Sequence, residues 1–294
     1  MNILVSGLVN TETTAPVRNF PIPYYPIDYP FFGISTAVSG VAFNIAKALK
    51  TLGDDVRLIS MTGQDFPAVY IRHSLAENGI SDSAILPKLS QTPSSVVLFD
   101  PSGKRQIYCD LKDIQETNYD FAPSILDDID LVVACNINFN RPLLHMAKAA
   151  GKCIATDVHV LSDLQDPYNR EFMELADILF LSDEVIGDDY SSFLLQLAQT
   201  YPAQIIVLGR GDKGAAMYLR TQDRIIEQSA ATAGQVINTV GAGDALLSAF
   251  LHAFAKGHSA EYSLAFAQHF AAKKICVSGA SNGFSTEAEI EAVL

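Results

Sequence analysis

The stretch NTVGAGDALLSAF, residues 238–250, sets two glycines and a carboxylate in front of a helix-like apolar run. An acidic residue at a helix start is ordinary, because it complements the dipole and caps free N–H groups. Glycines at 241 and 243, on either side of Ala242, are less ordinary. They leave the backbone bare, so that a negative group can approach its N–H donors. On its residues alone the turn has two meanings: a tight turn capped by Asp244, or an anion cradle with a carboxylate one side chain away. The second suits phosphoryl transfer, which needs developing charge held and an acceptor hydroxyl deprotonated.

The totals narrow the setting of that turn. A chain of 294 residues, 49% hydrophobic and 18% charged, can bury a large core and shows no low-complexity tract or repeat. A net charge of -13 argues against a nucleic-acid partner and leaves small polar or phosphorylated ligands open. Cys109, Cys135, Cys153 and Cys276 form no CxxC pair, which speaks against a zinc site or disulfide framework and for a reduced compartment. The opening MNILVSGLVN has no basic region, and no apolar run is long enough to span a membrane. A cytoplasmic protein with no membrane partner is expected.

Outward from the turn, the pattern predicts a strand over 2–8 and then a break. Residues 16–33, PVRNFPIPYYPIDYPFFG, hold five prolines and six aromatics, too many prolines for a helix or central strand, so an edge strand or flap is expected. Residues 38–53, VSGVAFNIAKALKTLG, repeat apolar positions at helical spacing and end on Gly53. A strand over 56–60, a helix from Asp65 to Asn78-Gly79, and a hairpin over 94–110 follow. Strands at 131–135, 153–157, 178–182 and 205–209 then alternate with helices at 142–150, 168–176 and 190–200, the mark of a parallel sheet covered on both faces. Helices near 243–256, 260–276 and 286–294 close the chain. The expected fold is an α/β three-layer sandwich, a mostly parallel central sheet flanked by helices. One domain spans 1–294, with segments about 12–35 and 94–110 projecting as a small β lid.

GRGDKG, residues 209–214, satisfies G-x-G-x-x-G directly after a strand, but a dinucleotide fold needs a helix next. Here AMYLR and RIIEQ follow, two β-leaning segments that predict a hairpin. A nicotinamide oxidoreductase is therefore disfavoured.

NTVGAGDALL resembles the C-terminal signature, DTxGAGD, of the ribokinase-like (PfkB) carbohydrate and nucleoside kinases. SGVAFNIAKALKTLG is similar to that family's GGxxxNxAxxxxxLG stretch. GLVNTE, TPSSVVLFDPSGKRQIY and VLGRGDKGAAMY resemble its first strand with acidic sugar ligand, its flap hairpin and its LGxxGA nucleotide turn. The five occur in family order over nearly the whole chain. The resemblance implies ATP-dependent phosphorylation of a hydroxymethyl group on a small sugar or related polyol. It makes Asp244 the general base and the backbone of Gly241, Ala242 and Gly243 the anion hole. It places Glu12, Gly40 and Asn44 at the acceptor, and Leu208, Gly209, Gly211, Lys213, Gly214 and Gln268 beside ATP. Mg²⁺ is implied as well.

The chain departs from the pattern at several points. Glu12 stands where Asp is usual, and Ser39 replaces the first glycine of the GG pair. Asn238 replaces an aspartate linked in several members to a monovalent cation, so that cation is doubtful here. The NxxE motif that orders Mg²⁺ reads Ser182-Asp183-Glu184-Val185, and the metal ligands stay unassigned. Two alternatives stay open: a nucleoside kinase of the same family, since the flap aromatics allow a base, or, on Ser182, Val185 and Asn238, a kinase fold weakened into a binding or regulatory protein. Lys213 either touches phosphate or is solvated, and Lys104 and Arg105 either face the acceptor or are wet hairpin ends. No histidine spacing points to a role. Tyr24, Tyr25, Tyr29, Phe31 and Phe32 are expected to pack the flap against the body or a partner's flap, in a homodimer.

Overall fold

A computed structural model describes all 294 residues. β1 (Asn2–Ser6) leads through three residues into β2 (Asn10–Pro16), and β3 (Ser35–Ser39) returns antiparallel to β2. α1 (Val41–Leu52), β4 (Asp55–Met61), α2 (Phe66–Glu77) and β5 (Ile85–Leu86) follow, then the hairpin β6 (Ser94–Phe99) and β7 (Arg105–Asp110). The strand–helix alternation runs through β8 (Leu131–Ala134), α3 (Arg141–Ala149), β9 (Cys153–Val160), α4 (Arg170–Leu175), β10 (Ile178–Ser182), α5 (Tyr190–Thr200) and β11 (Ile205–Gly209). The hairpin β12 (Ala215–Leu219) and β13 (Arg224–Gln228) precedes α6 (Ala242–Ala255), α7 (Ala260–Lys274) and α8 (Glu287–Glu291).

Nine strands form one sheet in the order β13-β12-β11-β10-β9-β8-β1-β4-β5. It is parallel from β11 through β5, and β12 alone is reversed, pairing antiparallel with both β11 and β13. Successive side chains of a strand serve opposite faces. Ile3 and Val5 therefore pack with Phe43, Leu49, Phe250 and Phe270 under α1, α6 and α7. Leu4 packs with Leu143, Phe172 and Leu194 under α3, α4 and α5. Each such side chain contributes about 1.5–3 kcal/mol through burial. α6 is buried from Asp244 to Ala253, as its nearly unbroken apolar run requires. No helix is long and apolar enough to cross a membrane.

The second sheet, β3-β2-β6-β7, is the expected lid. Its strands flank the proline-rich stretch rather than include it. Residues 17–34 form no regular element, since proline cannot donate to a ladder. That loop is held instead by the Arg18–Asp28 pair at 3.0 Å and by the Arg18 guanidinium 4.1 Å above the Tyr25 ring. GRGDKG opens the β11–β12 hairpin, as its β-leaning flanks predict, and no dinucleotide helix follows it.

Candidate active site

The carboxyl ends of β9, β10 and β11 meet the start of α6, the edge at which open α/β sheets bind ligands. A cavity of about 530 Å³ lies there, walled by Asp157 and His159, by Gly209, Gly211 and Gly214, by residues 239–244 and by Gln268. A larger hollow of about 840 Å³, beside α3, is a depression whose Asp127 and Asp128 face solvent.

α6 can begin where it does because Gly241 takes a φ of 79°, and a Cβ at 241 would strike the Ala280 carbonyl. Gly243 differs from Gly241. It carries no positive φ, and the space beside it is open. Backbone geometry demands the glycine at 241, whereas Gly243 contributes room. Ala242 donates its N–H to the Thr239 carbonyl at 3.2 Å. The N–H groups of Gly243 and Asp244 come next, at a helix start where no intrahelical carbonyl precedes them.

The Asp244 side chain is buried and accepts a 2.7 Å hydrogen bond from Asn44 Nδ2 of α1. α1 starts this close because Gly40, at a φ of 99°, brings its backbone within a methyl's width of Leu8. Burial, the largest influence, pushes the Asp244 carboxyl up to about 6, and Asp157 adds to it; Asn44, His159 and Lys274 pull the other way. Glu12, also buried, accepts from Ser39 Oγ at 3.2 Å, and burial raises its pKa. The residue that replaces the family's first glycine thus binds the residue that replaces its aspartate.

Of the residues singled out in the sequence, Gly209, Gly211, Gly214, Gly241, Ala242, Gly243, Asp244 and Gln268 line the cavity. Glu12, Gly40 and Asn44 are not part of that wall, and Asn44 reaches it through Asp244. Leu208 and Lys213 stand apart. The Leu208 side chain is wholly inside the core, and Lys213 is exposed and faces Asp188 at 3.6 Å. Arg105 reaches from the lid to Thr239 Oγ1 at 2.7 Å and to Glu184 at 3.6 Å. Asp183 faces Arg210 at 3.9 Å, and Arg210 lies 3.6 Å over the Tyr190 ring.

Three residues had no role in the sequence reading. Asp157 and His159 line the cavity, with the His159 N–H donating to Asp157 Oδ1 at 2.8 Å and His159 at a φ of 58°. Their position at the carboxyl end of a parallel strand was the available signal. Lys274 is fully buried and donates to the Gly279 carbonyl at 2.8 Å. As one of two lysines closing a helix it reads as an ordinary cation at a C-terminus.

A sheet of this order, a separate β lid and a glycine turn heading a buried helix define a ribokinase-fold kinase. Residues 2–287 match the pfkB family carbohydrate kinases, and the chain belongs to that family, a phosphotransferase with an alcohol group as acceptor. It is 24% identical to acarbose 7(IV)-phosphotransferase of an Actinoplanes species, over 90% of this chain and 89% of that one. A nucleoside kinase of Methanocaldococcus jannaschii is 25% identical over 83% of this chain and 80% of its own. The structure of Arabidopsis thaliana ribokinase complexed with ribose and ATP superposes with a TM-score of 0.82 at 20% identity, covering 99% of this chain and 97% of that one.

Proposed function

We propose that this protein transfers the γ-phosphoryl group of ATP to a hydroxymethyl group of a small sugar or polyol. The chain acts as one kinase unit over 1–294, closed by its β lid. The observation that carries the reading is Asp244: a buried carboxylate, its pKa raised to about 6, at the head of α6 beside donors that lack intrahelical partners. Asp244 takes the hydroxyl proton, and the 241–243 backbone meets the phosphoryl oxygens. Asn44 Oδ1 is buried and has no partner, so an acceptor hydroxyl that donates to it would be held beside the base. Glu12 accepts from a second hydroxyl. Gly209, Gly211, Gly214 and Gln268 border the nucleotide, with Leu208 in the core of β11 only anchoring the strand end at Gly209.

No three His, Cys, Asp or Glu side chains stand where they alone could hold a metal. That donor set fits Mg²⁺, which keeps its waters and binds through one or two carboxylates plus substrate phosphates. Besides the base Asp244, the carboxylates on the cavity wall are Asp157 and Glu184, which would help hold it, and the ion would neutralise phosphate charge. ADP release measured with ATP, Mg²⁺ and a panel of pentoses, hexoses, polyols and nucleosides tests the proposal. Turnover on a sugar or polyol supports it, and turnover on nucleosides alone moves the acceptor class. Clean ATP binding with no turnover on any acceptor makes the protein a binding module.

A further inference from the structure

Lys274 ends α7 with 0% of its surface exposed. Its ammonium has one hydrogen-bond acceptor in the protein, the Gly279 carbonyl at 2.8 Å. A buried ammonium is costly unless other groups compensate it. Here burial, the largest influence, pulls the ammonium's pKa down to about 8; Asp244 and Glu12 offset part of that at longer range, and Arg105 adds to it. The segment after Lys274 closes the back of the glycine turn. The Ile275 carbonyl accepts the N–H groups of Ile237 at 2.9 Å and Asn238 at 3.1 Å. The Ala280 carbonyl lies against Gly241, and Ser281 Oγ donates to the Val38 carbonyl at 3.0 Å, at the base of the lid.

The family resemblance links a monovalent cation to position 238, and the oxygens there do not fit one. Asn238 Oδ1 already accepts the Val240 N–H at 2.8 Å, the Ile275 carbonyl accepts two N–H groups, and the Gly279 carbonyl accepts the ammonium. A hard cation needs several oxygens turned toward it. These are turned toward the protein's own donors.

We propose that the Lys274 ammonium is a tethered cation: it fixes the backbone behind residues 241–244 and holds there a positive charge that cannot diffuse away, in place of a dissociable ion. The inference rests on Asp244 as base and the glycine turn as anion hole. Lys274 is a positioning residue that touches neither substrate. It follows that turnover is the same in K⁺, Na⁺ or choline.

The experiment compares wild type, Asp244→Asn, Lys274→Met and Lys274→Ala in potassium, sodium and choline chloride at equal ionic strength, by initial rate and by thermal unfolding. Wild type is expected to be indifferent to the salt. Lys274→Met is expected to lose about 10²-fold in kcat in every salt, and the acid limb of its kcat/KM profile rises by about one pH unit as the ammonium's attraction to Asp244 disappears. Lys274→Ala is expected to regain turnover with K⁺ or methylammonium, and its unfolding midpoint to rise with either, because a ligand bound only by the native state stabilises it. Several-fold K⁺ activation of wild type overturns the proposal, even if both Lys274 variants fail to fold. So does wild-type turnover of either variant in choline, and so does a loss that neither cation rescues. Asp244→Asn separates the two readings. If it is inactive while the Lys274 variants are unaffected, only the tethered cation fails; if it is active, the base assignment fails.

Discussion

Asp244 holds a charge where water cannot stabilise it, and its chemistry and its cost both come from that. Asp244→Asn keeps the shape and loses the proton acceptor, so kcat is expected to fall by about 10² to 10⁴, roughly 3–5 kcal/mol, with ATP and acceptor binding retained in calorimetry. In wild type, kcat/KM should fall on the acid side with a midpoint near pH 6, as the base is protonated. Because the folded pKa is raised from 3.8 to about 6, this group stabilises the fold most below pH 4 and loses that contribution as pH rises through 6. At pH 7 Asp244→Asn should therefore unfold later than wild type, by at most roughly 3 kcal/mol, and the advantage should vanish below pH 4. The two glycines before it part ways. Gly241→Ala forces a non-glycine residue to positive φ against the Ala280 carbonyl and should cost about 1–3 kcal/mol in chemical denaturation. Gly243→Ala should fold normally and weaken ATP, since its methyl enters only open space. At this scale the turn was legible because its parts are adjacent in the chain. Lys274 was not, because burial of one lysine in a helix of mixed polarity leaves no periodic trace.

Arg105 joins two elements that are otherwise separate, the lid strand β7 and the glycine turn, through Thr239. It is about one-third exposed, so the contact is modest. Arg105→Ala should raise the acceptor KM by up to about fivefold, near 1 kcal/mol, with a smaller change in kcat; steady-state kinetics on the acceptor that turns over checks this. The elements themselves were legible where an apolar run is bounded by polar turns. β10, α5 and β11 span the residues that the alternation predicts. β1 stops at Ser6 rather than residue 8: Gly7 still donates its N–H to the Ile59 carbonyl of β4, but its bare Cα lies so close to Cys135 that no side chain fits, and the pairing ends there. β9 runs past its apolar core to Val160, because the polar Asp157 and His159 belong to the cavity edge and not to the hydrophobic pattern. The proline stretch was read as an edge strand or flap; its missing N–H donors keep it out of a ladder, and it is a loop.

For the whole molecule, the lid leaves apolar surface unaccounted for. Tyr24, Phe31 and Phe32 are almost wholly exposed, and every residue of β7 faces solvent. Patches of that kind are normally covered. We expect a homodimer that clasps the two lids, seen as twice the chain mass in light scattering, and Phe32→Asp should convert it to monomer. A wild-type monomer at micromolar concentration would rule this arrangement out.

The bond between Asn44 and Asp244 has a further consequence for nucleotide economy. With no acceptor present, one carboxylate oxygen is already occupied, and no protein group donates to Asn44 Oδ1. A stray water must compete with that amide to be activated, whereas a polyol brings a hydroxyl for each end of it. Idle ATP hydrolysis should therefore be slow, and Asn44→Ala should raise the ratio of acceptor-free ADP release to sugar phosphorylation. An unchanged ratio would mean that waste is prevented elsewhere, by the lid.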